Sequence, residues 1–232
     1  MTTNSHLFDV IIIGCGPAGI AAGIVFEKMK SNIDYLILEA RNRIGGRAFT
    51  DITTFGENIP IDIGAHYICH HEPENFLRIY LQFSEIFWDE NLKRMNILND
   101  QFKFYYCLPK YRMLALYLYG NLARQIEQKT DEDIVKEIFN SLRHIYPNIS
   151  YPIKWLITRW RSDPFSQGSY SSFHLGSDLE TLKELSLETH DGRIHWAGEH
   201  TNYNGSIGYV DSGFESGIRE AKKILNKLQP FT

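Results

Sequence analysis

Val10-Ile11-Ile12-Ile13-Gly14-Cys15-Gly16-Pro17-Ala18-Gly19 is the stretch on which the fold turns. With Phe8 and Asp9 before it, the run to Ile13 is almost entirely apolar and β-branched, which predicts a strand buried on both faces of a parallel sheet. Pro17 suits the first turn of a helix, and Ile20, Ile24, Val25 and Met29 recur at helical spacing until Ser31-Asn32 breaks the pattern. A second strand is predicted over Tyr35 to Leu38, ending on Glu39. Strand, glycine turn, helix and strand in so short a span make a βαβ unit.

Gly14, Gly16 and Gly19 stand as G-x-G-x-x-G between the first strand and the helix. In such a turn the first glycine permits the bend and the second lets backbone approach a pyrophosphate. The third allows close packing of helix on strand, while the helix N-terminus offers free N–H groups and a positive dipole to the anion. Glu39 closes the second strand, where a carboxylate accepts from ribose hydroxyls and disfavours a 2'-phosphate. The reading is therefore a Rossmann-like α/β domain with a parallel sheet, binding FAD or NAD. These residues alone leave the choice between the two open.

The bulk properties narrow the classes further. Of 232 residues, 43% are hydrophobic and 22% charged, enough for a sizeable core, and the net charge of -4 leaves no basic face for nucleic acid. Cys15, Cys69 and Cys107 have no paired spacing, which points to a reducing compartment, and the polar N-terminus resembles no signal peptide. A cytoplasmic location and no membrane association are expected. His66, Cys69, His70 and His71 are metal-ligand types, yet no second cluster completes a four-ligand site, so no metal is expected. No G-x-S-x-G or kinase signature is present.

Farther along, Phe76 to Phe87 is compatible with a helix, and Leu92 to Lys103 is polar and ambiguous. Thr130 and Asp133 resemble a capping box ahead of one apolar face, Ile134, Val135, Ile138, Phe139, Leu142 and Ile145, which stops at Pro147. Ile153, Trp155 and Ile157 alternate as in a strand. Arg193 to Ala197 reads as a short strand, and Ile218, Ala221, Ile224, Leu225 and Leu228 as a final amphipathic helix.

The run Glu39-Ala40-Arg41-Asn42-Arg43-Ile44-Gly45-Gly46-Arg47 resembles the E-A-R-x-R-x-G-G-R loop of the flavin-containing amine oxidases. Four further segments resemble the same family. Ile61 to His66 is similar to its D-x-G-A segment. Trp160 to Ser171 is similar to the W-x-x-D-P-x-x-x-G-S-Y-S of its polyamine oxidase and histone demethylase branch. Trp196 to Thr201 is similar to its A-G-E-x-T turn, and Gly208 to Gly217 to the helix start that meets the flavin. The resemblance implies FAD, held by Gly14, Gly16, Gly19, Glu39, Arg41, Gly45, Gly46, Arg47, Gly64, Ala65, His66, Gly198, Glu199 and Val210, with Arg47 on the diphosphate. It implies that Tyr170 and Tyr209 wall an aromatic cage for a substrate amine. Ser212 departs from the family's glycine near the ring.

The implied activity is FAD-dependent oxidation of an amine, polyamines preferred, to an imine, with oxygen as acceptor and hydrogen peroxide as product. The alternative is a shortened, non-catalytic relative that binds flavin or acts as an interaction protein. The resembling blocks span about residues 7–80 and 103–228 and read as one FAD-binding domain over 1–232, with the substrate domain reduced or missing. The family's long middle segment has no counterpart between Leu81 and Tyr119, and its lysine near flavin N5 finds no match.

Overall fold

The computed structural model describes residues 6–29, 32–65, 76–97, 101–173, 176–204 and 207–228. In chain order its strands and helices are β1 (Val10–Ile13), α1 (Pro17–Lys28), β2 (Tyr35–Leu38), β3 (Thr50–Asp51), β4 (Ile61–Asp62), β5 (Phe76–Gln82) and β6 (Arg94–Asn96). There follow β7 (Phe104–Leu108), β8 (Met113–Tyr119), α2 (Gly120–Glu127), α3 (Asp131–Arg143), β9 (Lys154–Ile157), α4 (Leu179–Leu185) and α5 (Val210–Leu228). Where the sequence reads as one domain, contacts gather the chain into two compact units, residues 1–49 with 170–232 and residues 50–169.

In the first unit β1 and β2 run parallel, Val10 opposite Tyr35 through Ile13 opposite Leu38, and α1 connects them. The small core joins Ala22, Phe26, Ile33, Ala221 and Leu225, with Val10, Ile12 and Tyr35 facing it from the sheet. Close approach of α1 and α5 is possible because of glycine. A Cβ on Gly217 would stand 2.0 Å from the Ala18 carbonyl oxygen, so no other residue fits there without moving backbone.

The expectation that the first strand is buried on both faces does not hold: Ile11 is 55% and Ile13 88% exposed, as is Leu38 at 47%. Helices cover one face of the sheet, which has two strands among the described residues, and no described element covers the other. The short strand expected over Arg193 to Ala197 is also absent. A turn through His190, Asp191 and Gly192, all at positive φ, makes a single bridge between Thr189 and Ile194, and no neighbour extends it into a strand.

The second unit holds a five-stranded antiparallel sheet in the order β6-β7-β8-β5-β9. Phe76 to Phe87 is thus not a helix. All seven residues of β5 are buried, because the strand lies between β8 and β9 with both faces covered. One face of the sheet, Leu77, Ile79, Leu81, Leu114 and Leu116, packs on Ile126 of α2 and on Ile134, Val135, Ile138 and Leu142 of α3. The opposite face is aromatic and partly polar, with Tyr80, Met113, Ala115, Tyr106 and Tyr117 meeting Phe55 and Ile61. The predicted α3 and β9 are both present, and the Thr130 hydroxyl caps α3 by accepting from the Asp133 N–H at 3.2 Å. No helix among the described residues is long and apolar enough to cross a membrane.

Candidate functional site

The glycine turn leaves β1 at Gly14, whose φ is +102°. Its N–H donates to Leu38 O at 2.7 Å, tying the turn to the end of β2. A Cβ on Gly19 would lie 2.0 Å from Gly14 O, so the third glycine of the motif is fixed by the contact of α1 with the turn. The loop after β2 then folds back on the turn: Gly45 N–H donates to Cys15 O at 2.8 Å, and a Cβ on Gly46 would come within 3.3 Å of Gly16 Cα. Two glycine backbones face each other there, leaving room and N–H groups for an anion.

Glu39 joins the two ends of this cradle. Its carboxylate accepts from Cys15 N–H at 2.8 Å and Arg41 N–H at 2.9 Å, one on each oxygen. Those bonds, that of Arg41 first, hold the carboxyl below its ordinary pKa. A carboxylate has more lone pairs than these bonds use, so a ribose hydroxyl could still be accepted. Arg43 braces the loop, with Nη1 donating to Gly46 O at 2.8 Å and its guanidinium 3.9 Å from the centre of the Phe49 ring.

Glu199 is the second organising centre. The side chain is buried, and Oε1 accepts from Ser171 N–H at 3.0 Å, Ser171 Oγ at 2.9 Å and Arg47 Nη2 at 3.2 Å, while Oε2 accepts from Gly208 N–H at 2.7 Å. One carboxylate thereby draws together the loop after β2, the Ser-Tyr-Ser segment, the Ala-Gly-Glu turn and the approach to α5. Tyr170 lies against that approach, since a Cβ on Gly208 would meet its ring at 3.1 Å. Tyr209 and Val210 follow directly, each 42% exposed, with Val210 the first residue of α5. Gly198 N–H donates to Ser216 Oγ at 2.8 Å, which fixes the turn on α5.

Gly64 and Ala65 belong to the second unit, where the segment after β4 is held by Trp160 Nε1, donating to Ile63 O at 2.9 Å. His66 lies outside the described residues, as do Cys69, His70 and His71. Ser212, the departure from the family pattern, is buried in α5.

Comparison with known proteins bears on this arrangement. A family model described as flavin containing amine oxidoreductase matches residues 74–225, more than half of the chain, and one described as NAD(P)-binding Rossmann-like domain matches residues 12–83. The chain belongs to the flavin-containing amine oxidoreductases. The matched range includes residues 81–102, which lie between the two resembling blocks of the sequence. The chain is 32% identical over 172 residues to a possible lysine-specific histone demethylase 1 of Drosophila melanogaster, a match covering 66% of this chain and 19% of that protein. With polyamine oxidase 1 of Zea mays it shares 30% over 169 residues, covering 66% and 32%. The chain therefore matches only a fifth to a third of the length of these relatives. A solved structure of putrescine oxidase matches the fold with a TM-score of 0.72 at 12% identity, over 95% of this chain and 99% of that one.

The cofactor is FAD, and the residues present fit it. The cradle of facing glycines suits a diphosphate, and Glu39 retains acceptor capacity for a ribose. Ser171, Gly208, Ser216 and Arg219 were not among the predicted site residues. Arg219 donates to Thr201 O at 2.7 Å and Trp196 O at 3.1 Å, clasping the turn that presents Glu199. Ser171 stood inside a segment already read as significant, and the spacing of Gly213, Ser216, Gly217 and Glu220 marks one face of α5.

Glu188, His195 and Glu220 could offer three atoms to a metal. Their oxygens are already occupied: Glu220 accepts from Arg219 at 2.6 Å, Lys223 at 3.0 Å and His195 at 2.9 Å, and Glu188 pairs with Lys227. Burial opposes ionisation of Glu220, but Arg219, His195 and Lys223 together hold its carboxyl below the ordinary value. The group is an ion network that anchors α5.

Proposed function

We propose that this chain binds FAD in the first unit and oxidises an amine, polyamines preferred, with oxygen as the final acceptor. The convergence of Arg47, Ser171 and Gly208 on Glu199 carries the reading, because it joins in one unit four segments that otherwise have no reason to meet. When bound, FAD supplies the acceptor for the hydride leaving the carbon beside the amine nitrogen.

The chain's own residues have definite tasks in this reading. Gly14, Gly16, Gly19, Gly45 and Gly46 hold the diphosphate by backbone N–H groups, and Glu39 takes the ribose. Glu199 holds Arg47 where a guanidinium can face a phosphate. The N-terminus of α5 at Val210 directs its positive dipole end toward developing negative charge. Tyr170 and Tyr209 present ring faces to a nitrogen that gains positive character, an interaction of about 1 to 2 kcal/mol when desolvated. Anaerobic mixing of the flavin-loaded chain with spermine is the test. Bleaching of the flavin band, lost when both tyrosines become leucine, is expected, and an unbleached band on a fully loaded protein refutes the activity.

A second reading is favoured by the exposed face of the β1–β2 sheet. The chain would then bind flavin without turnover and serve as an interaction protein. Spermine separates the two readings, since this one requires a yellow protein that no amine reduces.

A further inference from the structure

Arg78 is a cation shut inside the second unit. It sits in the middle of β5, only 3% exposed, on the aromatic face of the sheet. Its backbone is secured, the N–H donating to Thr158 Oγ1 at 2.9 Å, and Nη1 donates to Asp62 O at 2.7 Å. Two rings stand beside it, with the guanidinium carbon 5.0 Å from the centre of Phe76 and 5.7 Å from that of Tyr117. Nε is shielded from solvent and has no hydrogen-bond partner among the described residues. No described carboxylate forms an ion pair with Arg78.

A guanidinium does not deprotonate in proteins, so it cannot escape burial by losing its charge. Leaving such a charge uncompensated costs several kcal/mol, more than most single contacts in a fold contribute. A carbonyl dipole and two ring faces offset part of this, but they leave the Nε side unanswered. With Nη1 engaged on Asp62 and the Tyr80 hydroxyl beside the guanidinium, Nε is the nitrogen left without an acceptor, and an oxygen of a carboxylate would supply one. Around it stands an aromatic wall: Tyr106 and Tyr117 are 4.7 Å apart, Tyr117 and Phe76 5.7 Å, and Phe76 and Tyr119 4.9 Å. Tyr117 is half-buried and Tyr119 exposed.

We propose that the Nε edge of Arg78 binds the carboxylate of a ligand whose apolar body lies against Phe76, Tyr117 and Tyr119. The carboxylate can belong to a free acid or to an amine that carries one.

Thermal unfolding of the full chain at constant ionic strength tests this without any turnover. Isovalerate, leucine and isoamylamine share a branched aliphatic body and differ in carboxylate and amine. Isovalerate and leucine are expected to raise the Tm saturably, by about 2–6 °C, and isoamylamine to leave it unchanged. A larger shift with leucine assigns the carboxylate to an amine, and an equal one assigns it to a free acid. Arg78→Met should abolish the shift while matching or exceeding the stability of the ligand-free parent, since it removes an unpaired buried charge. Should that variant fail to fold, Arg78→Lys must still weaken isovalerate by about tenfold, a point charge replacing a fork. Absence of a saturable shift in the parent overturns the proposal, as does a shift that survives unchanged in Arg78→Met, or in Arg78→Lys where that variant has to serve.

Discussion

Glu199 receives four donors on two oxygens, and its replacement by glutamine would turn one of those oxygens into a donor. Whichever way the amide settles, an N–H group is set against Gly208 N–H or against Arg47 and Ser171. Glu199→Gln is therefore expected to destabilise the first unit by about 2–4 kcal/mol, read from urea unfolding, whereas Ser171→Ala, which keeps its backbone bond, should cost about 1 kcal/mol. Equal costs would mean that the carboxylate is not the organising group. Glu39 gives a pH test with a definite sign. Its folded pKa lies below the ordinary 4.5, so its stabilising contribution is complete above that value and disappears as pH falls through the folded one. Glu39→Gln should flatten the acid limb of the stability profile below about pH 4.5 and leave the neutral region parallel to the parent.

Helices α1 and α5 allow a sharper comparison, because two glycines of α5 face the same neighbour with different room. A Cβ on Gly213 would find its nearest atoms at 3.8 Å, ordinary contact, while one on Gly217 would strike Ala18 O at 2.0 Å. Gly213→Ala should stabilise the protein by about 0.5–1 kcal/mol through helix propensity, and Gly217→Ala should destabilise it by about 1–3 kcal/mol. Paired Tm measurements check both signs. What the sequence revealed at this scale was local. The β1–α1–β2 unit follows from adjacent glycines, a proline and apolar periodicity, and α3 from the Thr130 cap and a single apolar face. The nature of β5 was hidden, because a central strand covered on both faces leaves a continuous apolar run that fits a helix equally well. The absence of a strand over Arg193 to Ala197 was hidden for a different reason: a strand needs a neighbour, and pairing is a property of the fold.

For the molecule as a whole, the segments that carry the predicted site residues could be read from local motifs, and the contacts that gather four of them on Glu199 could not. Glu199 meets Arg47 across a separation of 152 residues, a contact that no local pattern specifies. The same limit explains the misjudged burial of β1, whose composition suits a sheet covered on both sides although only one side is covered. That bare side has a measurable consequence. Ile13 at 88% and Ile11 at 55% exposure contribute little to the core, whereas Ile12 packs into it. Ile13→Lys should change unfolding free energy by no more than about 0.5 kcal/mol, and Ile12→Lys by several times as much. An exposed apolar strand also promotes association, so the parent should sediment as larger species with rising concentration, and Ile13→Lys should suppress this. If Ile13→Lys instead costs as much as Ile12→Lys, the face is covered within the chain, and the open two-stranded sheet described for the first unit is not its state in solution.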